Sequence, residues 1–174
     1  MDKPFIVMSN HVSNMDIPVL FLAFPVEFTF LTKHTLKKVP FFGWALQAAG
    51  FIFVDRSNPD KARESIDAAA QDVSSGRSIV VFPEGTRSPD GSLLPFKKGG
   101  FVLAAKTGVQ VVPVYLKGAY EAMPKNTFET RSSVIDVLIG EPIDATDYTL
   151  ETKEDLMRDV RLSIEELARG TGAV

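Results

Sequence analysis

Phe5-Ile6-Val7-Met8, running on into Asn10-His11-Val12-Ser13-Asn14-Met15-Asp16, is an apolar run that breaks abruptly into a polar loop. The run reads as a buried strand, and Ser13 and Asn14 read as N-caps of a helix that follows. Strand, polar loop and helix make the repeating unit of an open α/β sheet, whose chemistry collects in the loops at the strand ends. The pattern returns midway. There Ser78-Ile79-Val80-Val81 leads into the charged, Pro- and Gly-broken loop Phe82-Pro83-Glu84-Gly85-Thr86-Arg87-Ser88.

Spacing within the first loop carries geometry. Residues five apart on one straight helix diverge by about 140° at 3.6 residues per turn, so His11 and Asp16 meet only where the backbone bends between them. With His11 in the loop and Asp16 in the first helical turn, where the helix dipole favours an acid, the carboxylate reaches back to an imidazole nitrogen. Such a pair fixes the tautomer of His11 and supports the charge it gains as a general base. On spacing alone, a plain turn residue and a plain cap residue are the alternative.

The chain of 174 residues suits one domain with a sizeable core, and 45% hydrophobic with 24% charged residues is the balance of a folded globular protein. It has no cysteine, which excludes a thiolate nucleophile, a disulfide framework and a thiolate metal site. Its two histidines, His11 and His34, lack an HExxH spacing and argue against a histidine zinc site. A formal net charge of −3 offers no global basic field for nucleic acid. The local distribution is uneven. No acid lies between Glu27 and Asp55, a window that holds Lys33, Lys37 and Lys38. Phe28, Phe30, Phe41, Phe42, Trp44, Phe51 and Phe53 share it. Lysines among exposed aromatics suit an anionic bilayer surface; aromatics filling a core are the alternative. No signal peptide precedes the first strand, and residues 41–54 make only 14 residues against the roughly 20 that a span needs.

Farther along, helix and strand signals alternate. They predict a helix over 15–23, a strand over 26–31, a helical stretch over 33–49 interrupted at Pro40 and Gly43, and a strand over 51–54. Asn58 caps the clearest helix, with Pro59 at its first position, Ala62, Ile66, Ala69, Ala70 and Val73 at helical spacing, and Gly76 at its end. A strand over 79–82, a helix over 101–107 and a strand over 109–116 follow. Residues 119–132 read as loop and 134–139 as a strand. Thr152 with Asp155 reads as a capping box opening a last helix, striped by Leu156, Val160, Ile164 and Leu167. Together these predict a single-domain α/β fold: a largely parallel central sheet, flanked by helices, with right-handed crossovers.

With these stretches assembled, the chain resembles the glycerolipid acyltransferases, whose archetype is 1-acyl-glycerol-3-phosphate acyltransferase. Four motifs carry the resemblance. N-H-x-x-x-x-D is met at Asn10, His11 and Asp16, and G-x-I-F-V-D-R from Gly50 to Arg56. F-P-E-G-T-R-S is met from Phe82 to Ser88, and V-P-V at Val112-Pro113-Val114. The likeness covers nearly the whole chain and is least specific beyond about Gly118.

The resemblance implies the glycerol-3-phosphate acyltransferase fold and transfer of an acyl group from a thioester, on coenzyme A or acyl carrier protein, to the free hydroxyl of a lysophospholipid. The first acceptor it suggests is 1-acyl-glycerol-3-phosphate, giving phosphatidic acid. It makes His11 the general base and Asp16 its orienting partner. Arg56, Glu84, Gly85, Thr86 and Arg87 become acceptor-binding, joined by Lys33 and Lys97. Arginine suits this role because its planar fork donates in parallel to two phosphate oxygens. Glu84 either accepts from a glycerol hydroxyl or holds Arg87. No cofactor or metal is implied, and no acyl-enzyme, in keeping with the lack of cysteine and of a G-x-S-x-G elbow. Family members carry a membrane-associating segment ahead of the first motif, whereas only ten residues precede His11. The expectation is therefore one acyltransferase domain over 1–174 without that segment, cytoplasmic or peripheral on the cytoplasmic face of a membrane. An acyltransferase for another lysolipid, hydroxyl or amine acceptor, or a silent phospholipid-binding domain, is the alternative.

Overall fold

The structure, a computed structural model, describes residues 3–24, 26–55, 58–127 and 129–170. Six strands form one sheet in the order β3-β2-β4-β1-β5-β6. β1 (Ile6–Ser9) lies inside it, parallel to β4 (Ser78–Val81) on one side and to β5 (Val111–Lys117) on the other. β2 (Phe28–Lys33) pairs with β4, and β3 (Ile52–Val54) with β2, both parallel. β6 (Asp136–Ile139) closes the far edge antiparallel to β5.

Strand alternation sorts the side chains into two cores. Ile6 and Met8 of β1 and Ile79 and Val81 of β4 pack with α3 (Pro59–Ser74), α4 (Gly99–Thr107) and α6 (Lys153–Arg169), which supply Ile66, Phe101, Leu103, Leu156 and Ile164. Val7 and Val80 face the other way, onto Leu20 of α1 (Asp16–Ala23) and Phe24 at its end. Burial on both faces explains why β1 and β4 read as unbroken apolar runs.

Topology places the crevice. From β1 the chain crosses through α1 toward β2, whereas from the adjacent β4 it crosses through α4 toward β5. Right-handed crossovers in opposite directions lie on opposite faces, so the loops leaving β1 and β4 part at their carboxyl ends. Asn10 bridges the region where β1 leaves the sheet. Its Nδ2 donates to Leu116 O at 3.1 Å, and its Oδ1 accepts from Leu116 N at 2.7 Å, an amide standing in for one more ladder residue.

The expected fold class holds, with local corrections. The stretch over 33–49 is not one interrupted helix: β2 runs on to Lys33, a 3-10 turn follows at His34–Lys38, and α2 occupies Phe42–Ala48. Gly43 lets α2 fold onto that turn, because a Cβ there would fall on the Lys37 carbonyl. The presumed loop after Gly118 contains a short helix, α5 (Ala119–Ala122). Neither Ser13 nor Asn14 caps α1, which begins after Met15 without a side-chain cap. The Thr152–Asp155 box does not form either: Thr152 Oγ1 accepts from Thr149 N, and Asp155 takes Arg158 instead. Asn58 does cap α3, accepting from Asp60 N at 2.7 Å.

Replacing Asn10 by Ala strands a buried N–H and C=O of Leu116, at about 1–3 kcal/mol for each unsatisfied group. Urea denaturation should show Asn10→Ala less stable by on the order of 2–4 kcal/mol. Asn10→Asp should also lose stability, since a carboxylate meets the Leu116 carbonyl. An unchanged midpoint in both would mean that the bridge contributes nothing.

Candidate active site

The bend after β1 turns Asp16, the first residue of α1, back onto His11. Its Oδ2 lies 2.7 Å from His11 Nδ1 and also accepts the backbone N–H of Val12 at 2.8 Å and of Ser13 at 3.0 Å. The Asp16 side chain is fully buried, and Oδ1 has no hydrogen-bond partner among the described residues. A carboxylate only accepts, so in the neutral imidazole the proton sits on Nδ1 and the lone pair on Nε2, at the opposite edge of the ring. The ring stacks on Phe82 with centroids 4.0 Å apart and planes 13° from parallel. Tautomer and ring plane are both held.

The loop after β4 grips the main chain of the same histidine. Ser88 N donates to His11 O at 2.8 Å, and His11 N donates to Glu84 Oε1 at 2.7 Å. Glu84 Oε2 accepts from Leu94 N at 2.8 Å. Glu84 is thus buried beneath the site, with both oxygens engaged by backbone donors. It neither lines the cleft nor bonds Arg87, so the two roles expected for it give way to a third: tying the two loops together. Burial pushes its carboxyl up from 4.5 to about 7, against the pull of the Leu94 and His11 N–H groups. Asp16 adds to the rise and Arg161 opposes it. Arg161, on α6, also donates to Leu94 O at 3.0 Å and lies over the Phe96 ring.

His11 opens onto a cleft of about 310 Å³. Asn14, Lys33, Gly85, Thr86 and Arg87 line it with His11, so a base and two cations share one hollow. Gly85 takes φ +70°, a left-handed conformation that favours glycine and lets the loop backbone turn at the cleft wall. Ile17, Phe30, Leu31, Leu36, Phe42, Phe51 and Phe82 supply the apolar wall. The arrangement can take a proton from a hydroxyl, hold an anion nearby and shelter an apolar chain. A roomier groove of about 610 Å³ between α3 and α4, bordered by Arg63, Lys106 and Lys153, contains no histidine or carboxylate.

Of the residues singled out in the sequence, His11, Asp16, Gly85, Thr86, Arg87 and Lys33 come together here. Lys97 does not line the cleft: its side chain is exposed, and its backbone N–H donates to Pro83 O at 2.7 Å. Arg56 lies outside the described residues. His34 stands 4.0 Å from Asp55, away from the dyad. Sequence reasoning missed Leu36 and Phe42, which reach the cleft only because the 3-10 turn and α2 fold back together. It also missed Ser13, whose hydroxyl donates to Met123 O at 2.9 Å.

Comparison with known proteins shows the family of the chain. Residues 1–117 match the family model described as Acyltransferase. A chloroplastic 1-acyl-sn-glycerol-3-phosphate acyltransferase of Brassica napus, BAT2, is 42% identical over 123 residues, 71% of this chain and 36% of that protein. The 1-acyl-sn-glycerol-3-phosphate acyltransferase of Saccharomyces cerevisiae is 37% identical over 163 residues, 91% of this chain and 54% of that one. The chain therefore spans about a third to a half of the length of these relatives. Among solved structures, the 1-acyl-sn-glycerophosphate acyltransferase PlsC of Thermotoga maritima superposes with a TM-score of 0.77 at 35% identity, covering 97% of this chain and 68% of that one. With two thirds of its length matched by the family model, and 37% identity to the yeast protein over 91% of its residues, the chain belongs to the acyltransferase family, among relatives named 1-acyl-sn-glycerol-3-phosphate acyltransferases.

Proposed function

We propose that the protein moves a fatty acyl group from a thioester, on coenzyme A or acyl carrier protein, to the free hydroxyl of 1-acyl-glycerol-3-phosphate, giving phosphatidic acid. The observation that carries this reading is the His11–Asp16 pair, its free nitrogen on a cleft that holds Arg87 and an apolar wall. His11 Nε2 takes the hydroxyl proton as that oxygen attacks the thioester carbonyl. The tetrahedral adduct collapses by breaking the carbon–sulfur bond, and the imidazolium returns its proton to the departing sulfur. Asp16 steadies the charge that His11 gains. The step needs no resident cofactor, because the thioester already carries an activated acyl group. Arg87, with Arg56 by resemblance, takes the phosphate, and Lys33 adds positive charge to the same cleft. The names of the relatives support this acceptor over another lysolipid, and a silent binding domain has no use for an oriented base.

The same reading includes a bilayer surface, on the cytoplasmic side. Within the acid-free window, Phe28 and Phe30 belong to the core. Phe41 and Trp44 are 79% and 67% exposed, beside exposed Val39 and Phe42. Lys37 and Lys38 are exposed next to them. Leu36 and Phe42 line the cleft from this patch, which would deliver a lipid acceptor directly from the membrane. No helix among the described residues is long and apolar enough to cross a membrane.

Three measurements follow from this reading. His11→Ala should lower acyl transfer by about 100- to 10,000-fold, the usual loss with a general base. Asp16→Asn keeps an acceptor for three donors but removes the charge, so it should also fall severely. Near-normal turnover of His11→Ala on lysophosphatidate, read by thiol release, would overturn the mechanism.

Glu84 links stability to pH. A carboxyl raised from 4.5 to about 7 binds its proton more tightly in the folded chain, so stability falls as pH rises between those values and levels off above them. From pH 5 to 8 the unfolding free energy should drop by on the order of 2–3 kcal/mol more in the wild type than in Glu84→Gln. Equal slopes in urea denaturation would remove Glu84 as the source.

Vesicle co-sedimentation tests the surface. Binding to anionic vesicles should be reversible and salt-sensitive, since lysines contribute roughly 1 kcal/mol each near a charged bilayer. Lys37→Glu with Lys38→Glu should weaken it at low salt, and Phe41→Ser with Trp44→Ser should abolish what survives at high salt. Binding indifferent to both pairs would place the contact elsewhere.

A further inference from the structure

Beyond the four motifs, the segment after α5 reaches back over both catalytic loops. Met123 O accepts from Ser13 Oγ at 2.9 Å, which fixes the segment to the loop after β1. Tyr120, within α5 itself, donates from its hydroxyl to Pro89 O at 3.1 Å, which fixes the helix that precedes the segment to the loop after β4. Asn126 takes φ +67°, the left-handed conformation that asparagine tolerates better than most residues, and the chain turns there. Just before this turn, Lys125 Nζ donates to Arg87 O at 2.6 Å and lies 3.4 Å from Thr86 Oγ1.

Both partners of this ammonium are neutral oxygens, and no carboxylate pairs with Lys125 among the described residues. Its charge is therefore held, half-buried, against the two loop residues that border the anion end of the cleft. A lysine has three N–H donors, so at least one is left over. Lys125 also lies past residue 117, where the match to the family model ends.

We propose that Lys125 is a positioning and specificity-determining residue for the phosphate of the acceptor. It acts through Arg87, fixing the backbone from which the guanidinium projects, and its ammonium adds positive charge behind the loop that carries Arg87, besides that of Lys33 in the cleft. This rests on the acyl-transfer reading above, with a phosphate-bearing lysolipid as acceptor. Acyl-CoA carries phosphates too, and the contact with Arg87 assigns Lys125 to the acceptor rather than the donor.

The test compares the wild type with Lys125→Met, which keeps the length of the stem and removes donors and charge, and with Lys125→Arg, which keeps both. In steady-state kinetics Lys125→Met should raise the KM for 1-acyl-glycerol-3-phosphate by roughly tenfold, as loss of a charge-assisted contact does. The KM for acyl-CoA should move less than twofold and kcat little, and Lys125→Arg should recover most of the loss. Binding of the same lysolipid below its micelle concentration, followed by Trp44 fluorescence in a His11→Ala background, reads the contact without turnover. If the wild type binds this lysolipid but does not acylate it, the acyl-transfer reading fails, while the binding ratio of the Lys125 variants still decides the present one. A rise confined to the acyl-CoA KM, equal loss for both substrates, a fall in kcat without a KM change, or failure of Lys125→Arg to rescue would each overturn it.

Discussion

The buried Asp16 carboxylate is the interaction on which the site depends. One oxygen gathers three N–H groups, from the His11 ring and from Val12 and Ser13, and so folds the turn, aims the ring and sets the tautomer in one act. A charge in that position is costly to desolvate and persists only because several donors converge on it. The turn cannot open without exposing that charge to an unpaired state. The same constraint gives the His11 ring its direction.

A second buried carboxylate works on the main chain where Asp16 works on the ring. Glu84 spans His11 N and Leu94 N, joining the loop after β1 to the loop after β4 and to the stretch leading into α4. Arg161 holds Leu94 from the far helix, so α6, remote in sequence, braces the His11 loop from behind. The two loops leave neighbouring strands in opposite directions, and without such ties nothing in the sheet would hold them at a fixed separation. Preorganisation here is a network of backbone contacts rather than a set of side chains aimed at substrate.

The cleft combines two solvents. Its charged end is built from residues on strand-end loops, and its apolar wall from β2, the 3-10 turn and α2, which fold together over Gly43. The proposed acceptor, with a phosphate at one end and a hydrocarbon chain at the other, would meet both parts. The exposed aromatics of α2 continue the apolar wall outward, which suits a substrate that arrives from a lipid surface.

Sequence by itself determined the alternating order of strands and helices and the parallel sheet, and it offered the meeting of His11 with Asp16 as one of two readings, which the structure decided. These rest on local rules: apolar runs, turn residues, the Asn58 cap and the angle between residues five apart; the caps expected at Ser13, Asn14 and Thr152 do not form. The cleft residues Arg87, Thr86 and Gly85 were legible because one short loop carries them together. Only the tertiary structure decided what Glu84 does, because its donors lie 73 and 10 residues away and leave no periodic trace. The same holds for Asn10 bridging to Leu116, for Lys97 turning outward, and for the split of residues 33–49 into strand, turn and helix. Each of these depends on which backbone groups are left unpaired once the sheet has closed, and that is a property of the assembled fold rather than of any segment.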